Sequence, residues 1–329
     1  MEKLKIGITH GYTNGVSYEV ILKTFEEPTM LEFCTPIVYG SPKLAIYHRK
    51  TLDLSTNFTT IQHASEAIEG KLNIKECFTD EVKVELNSET SEAENAMQTS
   101  LKNALTDYEE GHFDVLVSAP GDKLQHNGLT ILINQMMRIA SVTETLPLTK
   151  ATLNLTIELV LEKLRQFNKC LERDFLYTQP RIAIMSLNPI AGKEEEEIIK
   201  PAIGQANEER ICAFGPYTAE QLFGSNAFTH YDGILAMYHD QALTPFNLLT
   251  NDFAVVYFAN KERVHTTTLH GAELQNAGKG TTPCTSFTNA IYTAIDIYRN
   301  RQRFDEAYAN PLPKLFHDKR EDNRKNNIE

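Results

Sequence analysis

Short apolar runs rich in β-branched residues alternate with longer amphipathic stretches along most of this 329-residue chain. This alternation constrains the fold more than any other feature. Parallel strands need crossover helices to join them, and strands covered on both faces read as short continuous apolar runs. Residues 5–9 (KIGIT) form the first expected strand, followed by a turn over 10–15 and a helix over 17–25. Further strands are expected at 36–39, 113–117 (FDVLV), 138–142, 181–185 (RIAIM), 233–237 (GILAM) and 253–258. Helical periodicity spans 44–50, 92–108, 149–167 and 286–299. The expected class is α/β, parallel strands joined by helices, and at roughly 150 residues per domain the length suggests about two domains.

Composition narrows what such a fold can serve. The 32 Lys and Arg against 44 Asp and Glu leave a formal charge of −12, the wrong sign for a protein that binds by neutralising nucleic-acid phosphates. With 41% hydrophobic and 23% charged residues the chain can bury a sizeable core. No run approaches the eighteen or so apolar residues of a membrane span. The start lacks the apolar region of a secretory signal. Five scattered cysteines without a Cys-x-x-Cys pair read as reduced thiols. A cytoplasmic protein acting on a small molecule is expected, with a frayed polar tail over 314–329.

In open α/β sheets ligands collect beyond the carboxyl ends of the strands. Four polar segments fall there: 10–14, 119–123, 187–192 and 238–241. The spacing therefore predicts a functional rim built from these loops.

The same segments carry a resemblance. Gly11-Tyr12-Thr13-Asn14-Gly15-Val16-Ser17-Tyr18-Glu19-Val20, Ala119-Pro120-Gly121-Asp122-Lys123, Leu187-Asn188-Pro189-Ile190-Ala191-Gly192 and Gly215-Pro216-Tyr217-Thr218-Ala219-Glu220 follow one another in order. Leu235-Ala236-Met237-Tyr238-His239-Asp240-Gln241-Ala242-Leu243, His270-Gly271 and Ala277-Gly278-Lys279-Gly280 complete the series. Together they resemble the 4-hydroxythreonine-4-phosphate dehydrogenase (PdxA) family of vitamin B6, or pyridoxal phosphate, biosynthesis. The resemblance implies a fold like isocitrate and isopropylmalate dehydrogenases: two α/β/α domains with a cleft between them, one over 1–120 plus about 271–329 and the other over about 121–270. It implies a homodimer that completes the active site, NAD(P) as oxidant, and a divalent metal held by three histidines as a Lewis acid.

The match departs from the family at the chemistry. The three metal positions are Thr145, Ile190 and His239, and only the last is an imidazole. Asn247 stands where the family has lysine, Val256 where it has asparagine, and His265, before Thr266, where it has arginine. A stretch of the family's chain is expected to be deleted after Lys123. An amide and a mostly neutral imidazole are weak substitutes for a phosphate clamp. Lys123 and Asp240 remain as acid–base candidates, with His265, Thr266 and Asn247 at substrate-contact positions. Each has a plainer reading: His239 as a hydrogen-bonded strand-end residue, Asp240 and Gln241 as helix caps, His10 and Tyr12 as packing. Residues 194–197, all glutamate, read as a solvated helix turn. The expected function is the family's dehydrogenation and decarboxylation with activity in question, or alternatively a non-catalytic paralogue that binds a ligand, regulates or pairs with an active member.

Overall fold

Twelve strands hydrogen-bond into one continuous sheet in the computed structural model, which describes residues 3–78, 82–121, 128–250, 253–260 and 262–310. The strands are β1 (Leu4–Thr9), β2 (Cys34–Gly40), β3 (Phe58–Ile61), β4 (Leu72–Glu76), β5 (Val115–Ser118) and β6 (Leu129–Ile133). They continue as β7 (Arg138–Thr143), β8 (Arg181–Met185), β9 (Cys212–Tyr217), β10 (Gly233–Tyr238), β11 (Val255–Ala259) and β12 (Val264–Thr268). Helices α1 (Ser17–Thr24), α2 (Met30–Phe33), α3 (Pro42–Thr51), α4 (Ser91–Glu109) and α5 (Leu148–Asn154) precede α6 (Ile157–Asp174), α7 (Lys200–Glu208), α8 (His239–Leu249) and α9 (Thr285–Tyr308). This is the α/β architecture the alternation predicts.

The spatial order is β3-β4-β2-β1-β5-β12-β11-β6-β7-β10-β8-β9. From β3 to β12 every pairing is parallel. Three antiparallel pairings follow, β12 with β11, β11 with β6 and β6 with β7. The last block, β7-β10-β8-β9, is parallel again. Three reversals leave that block running opposite to the first. The carboxyl ends of β1, β5 and β12 therefore lie at one end of the strands, and those of β7, β10 and β8 at the other. The four polar segments thus form two rims: 10–14 with 119–121 on one, 187–192 with 238–241 on the second.

Several elements differ from the sequence expectation, among them the unexpected strands β6 (LTILI) and β9 (CAFGPY). The single helix expected over 149–167 is two helices, because the Thr156 side chain accepts a hydrogen bond from the Leu159 amide and starts α6 afresh. Strands β3, β4 and β12 escape the apolar-run criterion because FTTI, LNIKE and VHTTT carry polar residues. They hold their places through ladder hydrogen bonds and the burial of Ile61, Leu72, Ile74 and Val264.

Across the junction of the two blocks lies a buried ionic bracket. Arg301 on α9 donates to Asp174 Oδ1 at 2.7 Å at the end of α6, to the Tyr257 hydroxyl on β11 at 2.8 Å and to the Asn260 carbonyl at 2.6 Å. Tyr257 in turn donates to Asp174 Oδ2 at 2.6 Å. Removing one partner of such a pair strands the other charge away from water. Asp174→Ala is therefore expected to lower unfolding stability by about 3–5 kcal/mol in chemical denaturation, while Asp174→Asn, which keeps some of the hydrogen bonds, costs less.

Candidate functional site

The first rim is built by the turn after β1. Gly15 lies so close to the Ala272 carbonyl that a Cβ there would sit 2.3 Å from it, and the Val16 amide donates to that same carbonyl at 3.0 Å. The Ser17 hydroxyl donates to the Pro120 carbonyl at 2.6 Å and accepts from the Tyr12 amide, tying the ends of β1 and β5 together. Gly121, at φ +101°, closes against Tyr12. Asn14 spends its amide on Ser88, Thr90 and the Glu85 amide, and the Tyr12 hydroxyl bonds both backbone groups of Thr90. Tyr12 thus packs and braces, as its plainer reading held.

The glycine-rich segment after β12 is clamped from behind. Buried Glu19 accepts from the Lys23 ammonium at 2.7 Å and from the Thr282 amide at 3.0 Å. Lys23 also donates to the carbonyls of Gly280 and Thr282. What results is a cleft of ≈ 440 Å3 beyond the carboxyl ends of β1, β5 and β12, lined by Tyr12, Gly121 and residues 267–274, with Glu89 and Glu94 at its edge. A volume of that size suits a small organic ligand.

On α1 the Tyr18 ring is stacked between His10 and His48, with centroids 5.4 and 5.1 Å away. Both imidazoles are fully buried, and burial lowers their pKa from 6.5 to about 4. His10 is therefore a packed residue.

At the second rim, Gln241 accepts from the Met237 amide and donates to the Ser186 carbonyl, both at 2.7 Å. It thereby bolts the end of β10 to that of β8, and is a brace instead of a helix cap. Thr143 adds a bond to the Met237 carbonyl from β7. Glu195 is fully buried, and its carboxylate accepts the amides of Leu187, Asn188 and Gly192 at 2.7–2.9 Å. Burial works against its charge, but these donors win and hold its pKa below the usual carboxylate value. The solvated-turn reading of 194–197 is corrected at this residue: the amides that the Asn188-Pro189 turn exposes need an acceptor, and Glu195 supplies it. The spacing of a turn glycine and an acid three residues on was the signal available in the sequence.

The sequence-predicted residues divide between the two blocks of the sheet. His239 opens α8, half-exposed, with Nδ1 3.0 Å from Asp240 Oδ1. Asp240 is exposed. Thr145 is exposed after β7, and Ile190 is 83% exposed after β8. Asn247 is exposed on α8. His265 and Thr266 are buried in β12 within the first block: His265 Nε2 lies 2.9 Å from Ser118 Oγ, and Thr266 donates to the Ala290 carbonyl of α9. Lys123 lies outside the described residues. The second rim does not fit a three-imidazole metal site. It offers one imidazole and an exposed carboxylate, while a threonine hydroxyl is a poor ligand and isoleucine none. Among the described residues the three-ligand cluster Asp107, Glu110 and His112 is on and after α4, away from this rim, and Asp107 is already bonded to Tyr39 and Lys75.

The family described as pyridoxal phosphate biosynthetic protein PdxA matches residues 32–130 and 122–294. The chain belongs to the PdxA family. The 4-hydroxythreonine-4-phosphate dehydrogenase of Bacteroides thetaiotaomicron is 46% identical, covering 98% of this chain and 96% of that protein. That alignment spans 351 positions against 329 residues here, so the relative has at least 22 residues with no counterpart in this PdxA chain. The two family segments meet at 122–130, the region where a deletion was expected; 122–127 lie outside the described residues. A solved structure of a putative 4-hydroxythreonine-4-phosphate dehydrogenase from Salmonella typhimurium superposes with a TM-score of 0.78 at 22% identity, over 90% of this chain and all of that one. An isocitrate dehydrogenase from Methylococcus capsulatus gives 0.51 at 8% identity, over 92% and 89%. Both support the fold. No helix among the described residues is long and apolar enough to cross a membrane.

The stacked histidines give a pH dependence. Their folded pKa is depressed, so their contribution to stability is complete above 6.5 and is lost as pH falls toward 4. Each should cost about 2 kcal/mol on going from pH 7 to pH 5. Thermal melting is expected to fall over that interval, and His48→Phe to flatten the fall.

Proposed function

We propose that this chain is a PdxA protein that retains the dinucleotide-binding half of an NAD(P)-dependent 4-hydroxythreonine-4-phosphate dehydrogenase but no longer assembles its three-histidine metal site. It acts on this reading as a ligand-binding, regulatory or partner protein. The observation that carries it is the second rim, where Ile190 presents a bare hydrocarbon 83% exposed at a metal position and Thr145 occupies another. The substitutions at Asn247 and His265 point the same way: the phosphate clamp is weakened together with the metal.

The residues of the first rim fit a dinucleotide. The cleft has the size for a nucleoside, sits beyond the carboxyl ends of β1, β5 and β12, and is walled by the close-approach turn at Gly15 and Gly121. Tyr12, Gly121 and residues 267–274 would hold the group. Bound there, the nicotinamide cofactor supplies a hydride acceptor.

A second reading, a working dehydrogenase, is favoured by the 46% identity to a curated relative over nearly the whole chain. The test is NADH formation by the purified protein with 4-hydroxythreonine 4-phosphate, NAD and Mg²⁺, Mn²⁺ or Zn²⁺. No metal-dependent rate is expected from the folded protein. A clear rate would establish the second reading.

The proposal includes a homodimer. Leu146, Leu148, Leu153, Ile190 and Leu248 leave large apolar side chains exposed on the second block, more than a solvated flank requires. Sedimentation analysis is expected to give a dimer that Leu153→Asp weakens; a monomer at micromolar concentration contradicts it.

A further inference from the structure

A cavity of ≈ 380 Å3 opens beside the ionic bracket at the junction of the two blocks. One stripe of α6 lines it, with Gln166, Lys169, Cys170, Arg173 and Asp174 at the three- and four-residue spacing of a single helix face. Arg301 of α9 and the end of β11 complete the lining. The cavity shares no lining residue with the cleft of the first rim, and its volume is that of a small-molecule site.

Three cations, Lys169, Arg173 and Arg301, and one carboxylate, Asp174, are among the residues around it. The carboxylate is already spent. Asp174 accepts from Arg301 Nε at 2.7 Å, from the Tyr257 hydroxyl at 2.6 Å and from the Cys170 thiol at 3.1 Å. The cations are not spent to the same degree. The Arg301 side chain is only 9% exposed, yet it donates through Nε and Nη2 alone. Its Nη1 carries two N–H groups with no acceptor among the described residues, and it is not sealed inside the protein. Donors on a buried cation are costly to leave unmatched. Lys169, one turn before Arg173 on the same face of α6, is exposed and makes no ion pair among the described residues. Arg173 is held by both oxygens of Asp305, at 2.9 and 2.6 Å, which ties α6 to α9 at this cavity.

We propose that this cavity is a binding site for a small organic oxyanion, a phosphate monoester or a dicarboxylate, taken up by Arg301 Nη1 and Lys169 Nζ. A guanidinium edge offers paired N–H donors to the oxygens of either group, and an ammonium adds a point charge. Charge-assisted hydrogen bonds of this kind gain strength where water is partly excluded. The bound acid would bridge α6 and α9, the two helices that the Asp174–Arg301 pair already joins. Its site lies apart from the loops of both rims, so it adds a second ligand to whatever the rims bind.

The probes are glycerol 3-phosphate and malonate, each titrated calorimetrically into the full-length protein in low-salt buffer free of phosphate. At least one is expected to bind once per chain, and the tighter of the two names the class of acid. Lys169→Glu, at an exposed position, is expected to weaken that binding about tenfold, and Lys169→Met to weaken it less. Lys50→Glu, the same charge change at an exposed position of α3, is expected to leave it unaltered. Circular dichroism confirms that each variant folds. No binding of either probe by the folded natural chain overturns the site. So does an affinity that Lys169→Glu leaves unchanged, or that Lys50→Glu lowers equally.

Discussion

The reversal of strand direction at β12, β11 and β6 is the constraint on which the rest of this structure depends. One continuous sheet carries two parallel blocks, and the antiparallel pairs between them turn the second block end for end. A parallel block gathers its ligand loops at the carboxyl ends of its strands. Two blocks of opposite sense therefore give one chain two rims, each complete as a piece of architecture and each facing its own way. The bracket of Arg301, Asp174 and Tyr257 spans α9, α6 and β11 and so fastens the junction where the sense changes.

The two rims have fared differently. On the first, the polar side chains that brace the loops behind the cleft are committed: Asn14 to the 85–90 segment, Ser17 to Pro120, Glu19 and Lys23 to the glycine-rich loop. On the second, the scaffold is equally intact. Gln241 still bolts β10 to β8, and Glu195 still fills the amide nest of the 187–192 loop. What that scaffold displays is one imidazole, His239 at the start of α8, with Ile190 exposed after β8 and Thr145 exposed after β7. Support without ligands is the physical content of the proposal: the groups that position the loops survive, and the groups that would bind metal do not.

Much of this was legible in the residues. The periodicity of 5–9, 181–185 and 233–237 located strands that the sheet contains, and the ordered series from Gly11 to Gly280 identified the family. Strand β12 was not legible as a strand, because VHTTT pairs through its backbone and buries polar side chains. For the same reason His265 and Thr266, placed at substrate-contact positions by the resemblance, carry side chains directed into the interior, toward Ser118 and α9. The rims could not be told apart from sequence, since strand direction is a property of long-range pairing. Glu195 hid in a run of four glutamates, where composition suggested solvent and only the geometry of the preceding turn required a buried acceptor.

A second rim that holds no divalent metal is tested most directly by calorimetric titration of Zn²⁺ and Mn²⁺ into the natural protein and into the Thr145→His/Ile190→His variant. No tight site is expected in the natural chain, and the variant is expected to gain one. Stoichiometric, tight metal binding by the natural chain that His239→Ala abolishes would contradict this.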